Sequence, residues 1–225
     1  MYQTSSQSVF QGATYKAWEL EFTPHPSAES KFKRFLDIVG SFVGLLILAV
    51  LFVPIAIAIK IDSPGPIFFT QERHGLQGRS FKLRKFRSMV SNAEELKSQV
   101  SNEADGLIFK NKNDFRVTKV GRLLRSSSLD ELPQFWNVLV GEMSLVGTRP
   151  PTADEVAKYS QRHWQRLNVK PGLTGEWQVN GRSQVKDFEQ IVDLDLRYQS
   201  NWHPLYDLQL IGKTIYVILA RVGAF

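Results

Sequence analysis

The sequence predicts a mainly helical α+β protein with a membrane-embedded helix near its N-terminus and a small soluble domain after it. Three observations carry that prediction. Ile38–Ile59 runs for twenty-two residues without a charge, and apolar stretches of eighteen or more residues point to a membrane. Several later stretches repeat apolar residues at helical spacing. Only two stretches, Pro66–Arg73 and Ser80–Arg87, read as strands.

Composition bounds the rest. The chain has 225 residues, with 28 Lys plus Arg against 22 Asp plus Glu, a formal charge of +6 and a pI near 9.5. A basic balance predicts an anionic partner: nucleic acid, an acidic membrane face or a phosphorylated substrate. Five Trp and fifteen Phe within 43% apolar residues exclude global disorder. The absence of cysteine excludes disulfides, zinc–thiolate sites and Cys nucleophiles together.

In chain order, Met1–Ser30 is polar and lacks the basic start, apolar run and cleavage site of a signal peptide. Residues 1–30 are therefore expected to be a loosely ordered arm. Residues 31–60 are expected to form the membrane helix, whose uncharged part would reach about 33 Å at the usual rise, enough to cross a bilayer. A buried core helix is the alternative. Lys31, Lys33 and Arg34 at one end and Lys60 at the other give only a weak orientation. Pro54 inside the run removes a backbone hydrogen bond and is expected to bend the helix, and Gly40, Ser41 and Gly44 suit close packing. These features favour re-entry, with both ends on one side of the membrane.

Residues 61–225 are expected to form the soluble domain. The two strands make a hairpin around Gly75 and Gly78. Ser91 with Glu94 forms a capping-box pattern opening a further helix. Helices are also expected at Lys119–Arg125, Leu129–Leu139, Thr152–Leu167, Asp187–Tyr198 and Asp207–Val217. In the last, Leu208, Ile211, Ile215 and Ile218 form one stripe, read as core rather than membrane surface.

Nucleotide-binding glycine motifs of the Rossmann and P-loop kinds are absent, and the four histidines lack metal-ligand spacing. The densest candidate for chemistry is Arg125-Ser126-Ser127-Ser128-Leu129-Asp130-Glu131-Leu132-Pro133-Gln134. Ser128 and Glu131 could simply be a capping box. Pro133 would then fall inside a helix; with Asp130 as the cap it falls in the first turn, and Asp130 is ionised and accessible at a positive helix end. An ionised carboxylate can attack phosphorus, Glu131 could hold a divalent cation, and Arg125 could neutralise a phosphate. Two loops, Met143–Pro151 and Lys170–Arg182, add Arg149 and Arg182 on backbone pinned by Pro and Gly, suited to a diphosphate. Arg125 and Arg149 are expected to have little else to pair them.

In order, Lys33-Arg34-x-x-Asp37, Phe81-Lys82-x-x-Lys85-Phe86-Arg87-Ser88-Met89, Leu129–Gln134, Gly147–Pro150, and Pro171–Gly175 leading to Gln178–Arg182 resemble the motifs of the bacterial sugar transferases. These are monotopic polyprenyl-phosphate phosphoglycosyl transferases. The resemblance covers Lys31–Phe225, including the ending Arg221-Val222-Gly223-Ala224-Phe225. It implies transfer of a sugar-1-phosphate from a UDP-sugar to undecaprenyl phosphate with release of UMP, a Mg²⁺ requirement and a re-entrant helix. By motif position it makes Asp130 the nucleophile and Glu131 its partner, both near the metal. Arg125, Arg149, Arg182, Gln178 and Lys85 become substrate-binding residues, and Arg34, Asp37 and Pro54 anchor the helix. The implied location is the bacterial plasma membrane with the domain on the cytoplasmic face. The implied partners are the two substrates and membrane phospholipid, with no nucleic acid and with a homo-oligomer left open. The chain resembles the short exopolysaccharide members, which lack an N-terminal helical bundle, and its length and ending favour a UDP-hexose. Thr148 stands where Pro is usual and is expected to loosen its loop, and Glu176 replaces a typically apolar residue. The competing reading is a basic, membrane-anchored binding module in which Asp130 and Glu131 only cap a helix; it predicts tolerance of Asp130→Asn.

Overall fold

The computed structural model describes residues 24–181 and 185–220. Most of the expected arm, Arg182 and the ending Arg221–Phe225 lie outside the described residues. The last part of that arm is built into the fold. Pro26 opens α1 (Pro26–Glu29), the His25 side chain accepts from the Ser27 amide, and Ser27 is buried.

Helix α2 (Lys31–Asp62) starts at a Ser30 cap and runs through Pro54 without interruption. One missing N–H is tolerated there because the next turn is buried: Ile55 and Ile59 pack against Phe86, Leu124 and Leu132. A second stretch of the same helix, Lys33, Asp37, Ser41 and Gly44, is buried at spacings of one helical turn. A Cβ on Gly40 would collide with Leu145, and one on Gly44 with the Phe135 ring, so these glycines set how closely α2 approaches the domain. The opposite face is open: Phe35, Phe42, Leu46, Val50 and Val53 are each more than half exposed. Only 22% of the most apolar window is buried, which removes the reading of α2 as an ordinary core helix.

The hairpin forms as expected. β1 (Phe68–His74) pairs antiparallel with β2 (Ser80–Phe86), Phe68 opposite Phe86 and His74 opposite Ser80. Gln77 and Gly78 take φ of 57° and 73° in the turn. The helix expected after Ser91 does not form; residues 91–96 are turns followed by a 3₁₀ turn at Lys97–Gln99. Its first groups are claimed elsewhere: the Val90 amide donates to the Arg116 carbonyl, and the Arg116 guanidinium takes the Ala93 carbonyl.

Helix α3 (Lys119–Ser126) is capped by Thr118. The expected helix at Leu129–Leu139 is split. Ser128 turns the chain at φ 58° without capping, a 3₁₀ turn follows at Leu129–Glu131, and α4 (Gln134–Val140) begins after Pro133. Neither proposed cap is used, because Pro133 occupies the cap position and Asp130 sits inside the tighter turn before it. The helix expected at Thr152–Leu167 is three pieces: α5 (Ala153–Val156), α6 (Gln161–Trp164) and a 3₁₀ turn at Gln165–Asn168. Ser160 makes a full capping box with His163, which restarts the chain where one helix was expected.

The sequence reading missed a second sheet. β3 (Ser144–Val146) pairs parallel with β4 (Gly172–Thr174), and a Thr148–Pro171 bridge extends it. At Gly147 and Gly172 the two backbones come so close that a Cβ on either would strike the other chain. α7 (Glu176–Val179), α8 (Phe188–Ser200) and α9 (Pro204–Leu219) complete the order. The stripe on α9 is mostly not core: Ile211 packs against Val146, Val169, Tyr198 and Leu210, but Leu208, Ile215 and Ile218 are 42%, 55% and 39% exposed. A stripe at helical spacing states only that one face is apolar. Lys33 ties α2 to this end of the molecule, donating to Asp207 at 2.7 Å, to Tyr198 at 3.2 Å and to the Val146 carbonyl at 2.8 Å.

Candidate active site

The 3₁₀ turn carrying Asp130 and Glu131 is held from two sides. Asn137 on α4 is fully buried; its amide donates to the Lys82 carbonyl at 2.8 Å and its oxygen accepts from the Arg84 amide at 3.2 Å. That fixes α4, and the turn before it, against β2. Lys85 on β2 then reaches Glu131 at 2.9 Å. From α3, the Arg125 Nε donates to Ser88 Oγ at 2.9 Å. Burial pulls the Arg125 pKa down, while Asp130, Asp114 and Glu131 oppose that shift. Asp130 is 6% exposed, so the expected accessible carboxylate is in fact mostly enclosed. Asp130, Glu131, Lys85 and Arg125 thus lie in one cluster.

Arg149 belongs to a second cluster and is not short of partners. Its guanidinium grips Glu155 through both nitrogens at 2.7 and 3.1 Å and lies 6.0 Å from the Trp177 ring centre. Burial opposes ionisation of Glu155, but the charge and hydrogen bonds of Arg149 outweigh it and hold the carboxyl below its ordinary range. Thr148 does not loosen this loop: it is buried and its hydroxyl donates to the Arg166 carbonyl at 3.1 Å. Arg166 is itself paired with Asp195, both about 1% exposed. Glu176 is likewise satisfied, accepting from Arg197 at 2.9 Å and from Asn180 and Tyr206.

Sequence reasoning missed two further cations near Arg149. Arg73 on β1 donates to Gln71 Oε1 and to the Pro150 carbonyl, all neutral acceptors, which leaves two of a guanidinium's five N–H groups. Burial and then the neighbouring Arg149 lower its pKa to about 10, while Glu155 and Glu131 act in the other direction. Arg73 therefore sits against the Arg149 loop and feels Glu131 more weakly. Lys110 sits 5.1 Å over the Trp177 ring. Burial first, then Arg149 and Lys186, lower its pKa to about 8. Its position on an irregular loop left no periodic signal to find it by. Gln178 follows on α7, and its Oε1, like Trp177 Nε1, is buried without a hydrogen-bond partner among the described residues.

The residues expected to anchor the helix fall elsewhere. Arg34 donates to the Val138 and Leu139 carbonyls at 2.8 and 2.5 Å, at the negative end of α4. Asp37 accepts from Ser144 Oγ and the Leu145 amide, each at 2.8 Å. Pro54 lies within the unbroken α2.

Asp130 and Glu131 are adjacent carboxylates, a donor set that fits Mg²⁺, which takes one or two carboxylates and fills its shell with water and phosphate oxygens. The arrangement places a mostly enclosed carboxylate beside two cations, with further cations across Arg73: a pattern fit for chemistry at a phosphorus atom carrying negative oxygens.

A family model described as bacterial sugar transferase matches residues 28–221. The chain is 44% identical to a galactosyl transferase, CpsE, of Streptococcus agalactiae, over 96% of this chain and 48% of that protein. It is 41% identical to a UDP-glucose:undecaprenyl-phosphate glucose-1-phosphate transferase of Klebsiella pneumoniae, over 82% of this chain and 39% of that protein. It is 38% identical to the exopolysaccharide production protein ExoY of Rhizobium meliloti, over 86% of this chain and 88% of that protein. The chain thus spans about half or less of the first two relatives and most of the third.

Proposed function

Because the chain belongs to the bacterial sugar transferase family, we propose that it transfers a hexose-1-phosphate from a UDP-hexose to undecaprenyl phosphate, releasing UMP. The observation that carries this reading is the Asp130–Glu131 turn, clamped between Lys85 and Arg125. An Asp130 oxygen attacks the phosphorus that bears the sugar. A carboxylate–phosphorus bond forms, the bridging P–O bond breaks, and its electron pair leaves with UMP. An oxygen of the lipid phosphate then attacks the same phosphorus, and Asp130 is released as the carboxylate. Arg125 and Lys85 offset the charge that builds on the phosphoryl oxygens. Arg73, Arg149 and Lys110 hold the remainder of the donor diphosphate, with Gln178 beside them.

Asp130 and Glu131 are the residues that would hold Mg²⁺, which supplies charge neutralisation at the diphosphate when bound. The names of relatives refer to both galactose and glucose; a hexose is the class we propose.

The open face of α2 supports a membrane placement. That face inserts into one leaflet while both ends of the helix stay with the domain on the cytoplasmic side, so the soluble donor and the lipid acceptor meet at the interface. The testing experiment incubates the protein with Mg²⁺ and a panel of sugar-labelled UDP-hexoses, without lipid. Label is expected on denatured wild-type protein with one of them, and none on Asp130→Asn. Full turnover by Asp130→Asn would sink the assignment and favour a non-catalytic role for the dyad.

A further inference from the structure

We propose that the groove at the start of α2 is a binding site for the phosphate of an anionic membrane phospholipid, an inference that rests on the membrane placement proposed above. The groove has a volume of about 390 Å³, and its lining includes Glu29, Lys31, Arg34, Phe35, Ile38 and Lys170. Its chemistry is mixed, with three cations against one carboxylate alongside the large apolar side chains of Phe35 and Ile38. The cations come from separate parts of the chain, Lys31 and Arg34 from the first turn of α2 and Lys170 from the loop before β4.

Lys170 and Arg34 meet over one glycine. A Cβ on Gly141 would lie 3.7 Å from Lys170 Nζ and 3.8 Å from Arg34 Cζ. Arg34 is aimed by the carbonyls that end α4. The Lys170 ammonium has no hydrogen bond or salt bridge among the described residues. Burial, with Arg34 and Lys33 adding to it against the opposing charge of Asp37, makes its charge less favourable than in water. A phosphate between these groups would relieve that crowding with charge-assisted hydrogen bonds.

The hydrocarbon part of the ligand has a path as well. Phe35 at the groove's edge is 61% exposed, and Val39, Phe42 and Leu46 continue the open face of α2 at 46%, 61% and 68%. A phosphate joined to acyl chains matches both halves. The occupant is assigned as a bilayer phospholipid rather than the reacting lipid phosphate because Asp130, Glu131, Lys85 and Arg125 are all absent from the groove's lining. A phosphate held there does not face the nucleophile.

The test is flotation of the full chain with phosphatidylcholine vesicles, with and without phosphatidylglycerol. Wild type is expected to prefer the anionic vesicles. Lys170→Gln should lower that preference by about fivefold, the loss of one well-placed cation, with binding to phosphatidylcholine unchanged; Lys170→Arg should retain it. Lys158→Gln, at an exposed lysine outside the groove, controls for bulk charge and should have little effect. Full preference in Lys170→Gln, or an equal loss in Lys158→Gln, would overturn the site. So would a Lys170-dependent preference found with polyprenyl phosphate in the vesicles but not with phosphatidylglycerol, since the occupant would then be the acceptor. Failure of wild type to float with either vesicle would overturn the membrane placement and this site with it.

Discussion

Glu155 holds Arg149 through both carboxylate oxygens, so the guanidinium is oriented before any donor arrives. Arg149→Lys keeps the charge and loses the fork. We expect kcat/KM for the donor to fall by at least tenfold, since hydrogen bonds to charged groups contribute about 1.5–3 kcal/mol. An unchanged value would remove Arg149 from the donor site. Glu155→Gln tests the same pair through stability. The folded pKa of Glu155 is depressed, so its contribution is present above the ordinary glutamate pKa and is lost as pH falls through the lower folded value. The gap in Tm between wild type and Glu155→Gln should therefore be widest near neutral pH and should close in acid. Lys110 gives a second pH dependence of opposite sense. With a pKa lowered to about 8, it loses its charge as pH rises past that point. KM for the donor should rise between pH 7 and 9, and Lys110→Arg, which stays protonated, should flatten the rise; a wild-type KM constant over that range would exclude Lys110 from donor binding.

At the scale of elements, the docking of α2 depends on two residues without side chains. A methyl group at Gly44 meets the Phe135 ring, and Phe135 lies on α4 just after the Asp130–Glu131 turn. Gly44→Ala should cost about 1–3 kcal/mol, as overpacking does, and should reduce kcat by displacing α4. Pairing it with Phe135→Leu should restore part of both, and failure of that rescue would separate the glycine from the Asp130–Glu131 turn. Gly40 and Gly44 were legible as a packing signal, and so were α2, the hairpin, α3, α8 and α9, because each is announced locally by period, cap or turn residues. β3 and β4 were not. Each is three residues long, too short for alternation to register, and their pairing is fixed by backbone contact between Gly147 and Gly172. The split of the helix expected at Thr152–Leu167 turned on Ser160 and His163, a capping pair visible in sequence but weaker than the apolar period around it. In the site, Asp130, Glu131, Lys85 and Arg125 came from adjacent or motif-bound positions. Arg73 did not, since its significance lies in what stands across from it, Pro150 and Glu131. The α9 stripe was read as core, which holds for Ile211 but not for Leu208, Ile215 and Ile218, because period alone does not say what covers a face.

The molecule as a whole constrains how α2 can meet a membrane. Its 32 residues extend about 48 Å at the usual rise, longer than the roughly 30 Å of hydrocarbon in a bilayer. Yet both ends are fastened to the same domain. Near the start, Lys33, Arg34 and Asp37 bind partners on α9, α4 and β3. At the finish, Asp62 accepts from the Val120 amide at 2.8 Å, and Arg87 donates to the Ser63 carbonyl at 2.7 Å. A helix crossing the bilayer would have to drag one set of these polar contacts through hydrocarbon or break it, at a cost of several kcal/mol. A helix that presents its open face to one leaflet breaks neither. The exposed stripe on α9 offers a second apolar surface in the same molecule. Single cysteines at Glu29 and Lys60, both exposed, should therefore react with an impermeant reagent from the same side of sealed vesicles. Because α2 continues through Pro54, the one-sided placement proposed above rests on the docked ends, and Pro54→Leu should leave the labelling pattern intact. Charge reversal of Asp62 should instead loosen the far end, since it replaces the acceptor of the Val120 amide. Labelling of the two cysteines from opposite sides in the wild-type background would show that α2 spans, and that the fastened ends separate in the membrane.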